Sequence, residues 1–85
     1  MANLYLIDKP AAEQAFELAK ADKNAKVVLI QDGVYLDSKG LKEVYAVKRD
    51  IDLRGLGTRV PASVKRIGYD ELVDLIVANK VINFA

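Results

Sequence analysis

Lys26-Val27-Val28-Leu29-Ile30, closed by Gln31-Asp32-Gly33, carries a short apolar run of mostly β-branched residues with polar groups at both ends. The run does not alternate, so it suits a strand covered on both faces, as the strands of parallel α/β sheets are. Gln31-Asp32-Gly33 supplies turn chemistry where the strand stops. Upstream, Asn3-Leu4-Tyr5-Leu6-Ile7 repeats the pattern and reads as a buried first strand. Between the two runs, Ala12, Ala15, Phe16 and Ala19 recur at helical spacing, with Glu13, Glu17 and Lys20 off the stripe. Asp8 can cap this helix, Pro10 is tolerated in its first turn, and the helix is expected to end near Asn24.

Downstream, Val34-Tyr35-Leu36 reads as a short helix or lining segment, followed by a turn at Asp37-Ser38-Lys39-Gly40. Val44-Tyr45-Ala46-Val47 is a third strand. Asp50 then caps one or two helical turns that Gly55 ends in a left-handed conformation. Residues 55–63, with two glycines and Pro61, form the longest irregular segment. Val64-Lys65-Arg66-Ile67 reads as a fourth, more exposed strand. Residues 69–79 carry Leu72, Val73, Leu75, Ile76 and Val77 behind a cap at Asp70. Val81-Ile82-Asn83-Phe84 is a fifth, short strand. The expectation is a single α/β domain over residues 1–85, a small mostly parallel sheet of about five strands with helices on both faces. Ligands and partners of such sheets meet the loops after the strands, which puts residues 8–10, 31–35 and 48–54 on one rim.

The 85 residues hold neither Cys nor His nor Trp, and 13 basic residues face 12 acidic ones. Disulfides, zinc-finger sites, imidazole bases and thiol nucleophiles are thereby excluded from this chain, and no metal site is expected. Ser38 and Ser63 have no His to activate them. Asp50 and Asp52, two apart on a helix, point to different faces and do not converge. Gly55-Leu56-Gly57 lacks the preceding strand and the third glycine of a dinucleotide fingerprint. An apolar share of 52% is high for so short a chain, so part of that surface is expected against a partner, in an oligomer. No apolar run reaches the roughly 18 residues of a membrane span, and the first residues lack a signal peptide's pattern, so a soluble cytoplasmic protein is expected.

The near-neutral total hides a polarity. Over residues 39–66 eight basic residues stand against three acidic ones, a local net of +5 that leaves −4 on the rest. Such a half can bind an anion, with Arg49, Arg54 and Arg59 as candidates, or dock on an acidic subunit surface. Direct nucleic-acid binding is disfavoured, because no aromatic residues interleave with the basic ones in a recognised module.

Three stretches taken together resemble the DsrH/TusB family of DsrEFH-like sulfur-relay proteins. They are Val28-Leu29-Ile30-Gln31-Asp32-Gly33-Val34, then Val44-Tyr45-Ala46-Val47 leading to Asp50 and Arg54-Gly55-Leu56, then residues 67–75 beginning Ile67-Gly68-Tyr69-Asp70. Asp8-Lys9-Pro10 looks like the family's polar loop before its first helix, and Phe84 stands near the family's terminal aromatic. The resemblance implies assembly with DsrE/TusD-like and DsrF/TusC-like paralogues that pass persulfide sulfur, in tRNA wobble-uridine 2-thiolation or in sulfur oxidation. Persulfide travels on cysteine thiolates, so a chain without Cys fits a non-catalytic subunit with no cofactor. Gln31, Asp32, Gly33, Val34, Asp50, Arg54 and Gly55 are then expected to shape a partner-binding rim, with Asp50 and Arg54 paired across one helical turn. The alternative is a stand-alone homo-oligomeric module that binds a small anion or nucleotide.

Overall fold

A computed structural model describes residues 2–36, 40–41, 43–57 and 59–84. Five strands, β1 (Asn3–Ile7), β2 (Ala25–Leu29), β3 (Val44–Val47), β4 (Val64–Ile67) and β5 (Lys80–Phe84), form one sheet in the order β4-β3-β2-β1-β5. Every pairing is parallel. Three helices accompany them: α1 (Ala12–Ala21), α2 (Lys48–Leu53) and α3 (Tyr69–Ala78).

The chain steps β1 to β4 in one direction across the sheet, and the last connection returns to the far side of β1. Right-handed crossovers put connections of opposite direction on opposite faces. One apolar layer accordingly unites Tyr5, Ile7, Val27 and Leu29 with Ala15 and Ala19 of α1 and Ile51 of α2. The other unites Leu4, Val28, Val47 and Ile67 with Leu72 and Leu75 of α3. Adjacent residues of β2 thus serve opposite layers, which is why its sequence is continuously apolar. The edge strand β4 buries Val64 and Ile67 but exposes Lys65 and Arg66, charges that discourage pairing with a further strand. Phe84 of β5 stacks on Tyr5, centroids 6.3 Å apart. The α3 layer is thin: no residue of α3 is buried, and Tyr69, Val73 and Val77 are more than half exposed.

Several boundaries differ from the sequence expectation. Asp8 caps a short 3-10 turn, Lys9–Ala11, that leads into α1. The helix stops at Ala21 rather than near Asn24, because the Asp22 carboxylate accepts from Asn3 Nδ2 (2.7 Å), Tyr5 Oη (3.0 Å) and Asn24 N (2.9 Å). These bonds tie the end of α1 to the start of β1. The second strand begins and ends one residue earlier than expected. Gln31–Tyr35 is a 3-10 turn, one element where the sequence suggested a turn and then a separate short segment. Asp50 and Asp70 cap nothing: α2 begins at Lys48 and α3 at Tyr69, and both carboxylates lie in the first turn, where the helix dipole favours them. Gly55, at φ 65°, follows α2 in the left-handed region as expected. The turn expected at residues 37–40 lies outside the described residues except for Gly40 (φ 92°). Among the described residues no helix is long and apolar enough to cross a membrane.

Candidate partner-binding rim

Because all strands are parallel, the 3-10 turns after β1 and β2 and the helix after β3 start at the same end of the sheet. Gly33 brings the second of these turns against the first strand. A Cβ on Gly33 would collide with the Ile7 carbonyl oxygen and lie 3.2 Å from the carbonyl carbon and 3.3 Å from Asp8 Cα. The same carbonyl accepts from Ile30 N at 3.1 Å, and Gly33 N donates to Ile30 O at 2.8 Å. Val34 follows into the core, 6% exposed.

Between those anchors Gln31 adopts φ 50°, the only non-glycine residue with positive φ among the described residues. A left-handed non-glycine residue costs roughly 1–2 kcal/mol and persists where its surroundings fix it. The surroundings here include Asp50 of the neighbouring connection, whose Oδ2 accepts from Gln31 N at 2.8 Å. Arg54 completes the arrangement: its Nε lies 3.0 Å from Asp32 Oδ1, and its Nη1 lies 3.6 Å from Asp50 Oδ1 while donating to Asp50 O at 3.2 Å. Two carboxylates, one guanidinium and one backbone N–H therefore latch the connection after β2 to the connection after β3. The side chains of Arg54 and Asp50 are 21% and 14% exposed, and Asp32 is 59% exposed, so the latch is half sunk in the rim. Gln31 and Asp32 face solvent on top of it.

The structure thus brings Gln31, Asp32, Asp50 and Arg54 into contact, with Gly33 and Val34 beneath them and Gly55 ending the helix that carries Asp50. The i,i+4 pairing of Asp50 with Arg54 was legible from spacing. The links from Asp32 to Arg54 and from Asp50 to Gln31 were not, since they join residues 22 and 19 apart through the strand order. Arg54 is occupied by these carboxylates, so Arg49, Arg54 and Arg59 do not offer three free guanidinium groups to an anion. Arg49 is exposed on α2, and Arg59 lines a separate cleft beyond the rim with Tyr35. Tyr35, the last residue of the 3-10 turn, falls within the rim expected at residues 31–35, but the sequence gives it no role of its own. Among the described residues no group of three or more His, Cys, Asp or Glu side chains is placed to hold a metal ion.

At the opposite end of the sheet, hydrogen bonds from Asn3, Asn24 N and Tyr5 hold the Asp22 carboxyl below its usual range, in that order of importance among the lowering causes. Desolvation, and then Asp22 itself, push the Tyr5 phenol up.

Residues 9–82 match the family model described as DsrH like protein. Proteins named Protein TusB from Salmonella arizonae and Salmonella newport are 41% identical to this chain over 60% of its length. The matched region spans 64% of the length of these relatives. Matched by the family model over most of its length and folded as a parallel five-stranded sheet, this chain belongs to the DsrH-like protein family.

Proposed function

We propose that the chain is a non-catalytic subunit of a cytoplasmic sulfur-relay complex, and that the latched rim is where a cysteine-bearing paralogue, of the DsrE/TusD or DsrF/TusC kind, docks. Family membership supports the relay, and the relatives' name favours the branch that serves 2-thiolation of the tRNA wobble uridine over the branch that serves sulfur oxidation. The single observation that carries the role within it is compositional: no residue of this chain is a cysteine. In persulfide transfer an acceptor thiolate attacks the outer sulfur of a donor persulfide, and the donor leaves as a thiolate. Both sulfurs that bond to the travelling atom must then belong to other subunits.

What this chain contributes is a surface. The Gln31 backbone is held in a conformation that few residues adopt, and holding it takes a carboxylate delivered from the next connection. A rim fixed before contact loses little conformational entropy on association. The basic stretch of residues 39–66 adds long-range attraction toward an acidic partner and chiefly raises the association rate. Residues 1–85 act in this reading as one domain.

A tagged chain recovered from its native host at low salt, with mass spectrometry and persulfide-selective labelling of the co-purifying proteins, tests the reading. Small stoichiometric proteins with labelled cysteines are the expected result. Recovery of the chain alone, as monomer or homo-oligomer, would overturn it.

A further inference from the structure

Beyond the latch, the two connections that form the rim part and leave a cleft of about 310 Å³ between them. Tyr35 and Leu36 line one side, Val60 and Pro61 the other, and the exposed Arg59 lines it as well. The floor is core: Val34 and Leu56 are 6% and 8% exposed, whereas Tyr35 is 54% exposed. Both walls are fixed in place. The Asp32–Arg54 pair joins them at the base, Arg59 N and Val60 N both donate to Leu56 O (2.9 and 3.3 Å), and the Arg66 guanidinium donates to Gly57 O.

Arg59 differs from Arg54 and Arg66 in what it does with its charge. Among the described residues its guanidinium has neither an ion pair nor a hydrogen bond, and it belongs to the stretch with a local net of +5. An apolar floor beside a free guanidinium selects an occupant with an apolar body and an adjacent carboxylate, which Arg can bind in a fork. The volume sits at the bottom of the range for small-molecule sites, roughly 300–1,000 Å³, and suits one large side chain with its neighbouring backbone. Interface anchors have this form: one aromatic or branched side chain in a pocket, ringed by groups that exclude water.

We infer that this cleft receives a short segment of the docking subunit, an aromatic or branched apolar residue next to an Asp or Glu, with the apolar side chain on Val34 and Leu56 and the carboxylate on Arg59. The inference rests on the rim reading above and adds the chemistry of the partner's contact. Tyr35 forms an aromatic side wall, and the latch sets the width of the cleft.

The test has two arms. In the first, the isotopically labelled chain is titrated by NMR with the capped peptide acetyl-Gly-Phe-Glu-Gly-amide and with its Gln-for-Glu counterpart. Shifts should centre on Val34, Tyr35, Leu56 and Arg59, and the Gln peptide should bind about threefold or more weakly, the size expected of one partly exposed charge pair. Arg59→Gln should remove the discrimination while leaving the rest of the spectrum in place, which separates lost charge from lost fold. No shift at the cleft, or equal binding of both peptides, would overturn the inference.

In the second arm, Arg59→Gln, Tyr35→Ala and Arg54→Ala are compared in recovery of the cysteine-bearing subunit. Tyr35→Ala should weaken capture about tenfold, as loss of an anchor contact of roughly 1.4 kcal/mol does, and Arg59→Gln should weaken it less. If Arg54→Ala loses the subunit and both cleft variants keep it, the cleft inference fails and the rim reading stands. If all three keep it, both fail.

Discussion

Replacing Gly33 with alanine should separate the close approach that builds the rim from ordinary surface variation. The backbone at Gly33 lies outside the left-handed region, so the effect is steric and not conformational. The added methyl would overlap the Ile7 carbonyl oxygen and crowd Ile7 C at 3.2 Å and Asp8 Cα at 3.3 Å, all of it backbone that no rotamer change can relieve. The 3-10 turn would have to withdraw by several tenths of an ångström. That movement lifts Val34 from the core, stretches the Ile30 N to Ile7 O bond and draws Asp32 from Arg54. Overpacking of this kind costs about 1–3 kcal/mol and a weakened hydrogen bond about 1 kcal/mol, against which alanine returns about 0.4–1 kcal/mol by restricting the unfolded chain. The expected loss is about 1–3.5 kcal/mol. Urea denaturation followed by circular dichroism reads it directly, with Gly57→Ala as the control, since a Cβ there meets nothing within 4 Å. The control should stay within about 0.5 kcal/mol of the parent. Coincident midpoints for the two variants would mean that the Ile7 carbonyl does not limit the approach of this turn.

Gln31→Gly should leave stability within about 1 kcal/mol of the parent, because relief of the left-handed strain offsets the added freedom of glycine, while Gln31→Val should cost about 1–2 kcal/mol; thermal melts check both. Ile51, fully buried, should lose about 2–4 kcal/mol as Ile51→Ala, whereas Val77→Ala on the open side of α3, 79% exposed in the parent, should change stability by less than about 0.5 kcal/mol in denaturant titrations. Asp22 has a lowered carboxyl pKa in the fold, so its contribution is present above the unfolded pKa, about 3.9, and is lost as pH falls through the folded value. Asp22→Asn should flatten the acid limb of the stability profile. An unchanged acid limb would contradict the role given to the Asn3 and Asn24 bonds.

The inner strands β1, β2 and β3 were legible because their runs are continuously apolar, and a sheet with helices on both faces leaves that mark on sequence. The stripe of Ala12, Ala15 and Ala19 was legible for the parallel reason of helical spacing. Boundaries were less so where a polar side chain chose a distant partner over a local one. Asp50 looks like a cap by position, yet its carboxylate goes to Gln31 N, 19 residues back; Asp22 ends a helix early because Asn3 and Tyr5 claim it. The Asp50 choice depends on which strands are neighbours, and although Asp22 has a local bond from Asn24 N, its bonds from Asn3 and Tyr5 depend on where α1 ends against β1. The rim follows the same division: Gly33 and the Asp50–Arg54 spacing mark it in sequence, while the cleft beside Tyr35 exists only once the connections after β2 and β3 are side by side. The open side of α3 was not legible at all, because its apolar residues look the same in sequence whether or not the sheet covers them.

The most direct measurement is capture from the native host with the parent chain and Arg54→Ala in parallel, both checked for parental circular dichroism. The parent should recover a small cysteine-bearing subunit with a persulfide label, and Arg54→Ala, which leaves Asp32 and Asp50 without their shared guanidinium, should recover far less of it. Equal recovery by the two chains would contradict the rim as the docking surface, and no labelled subunit with either would contradict the relay itself.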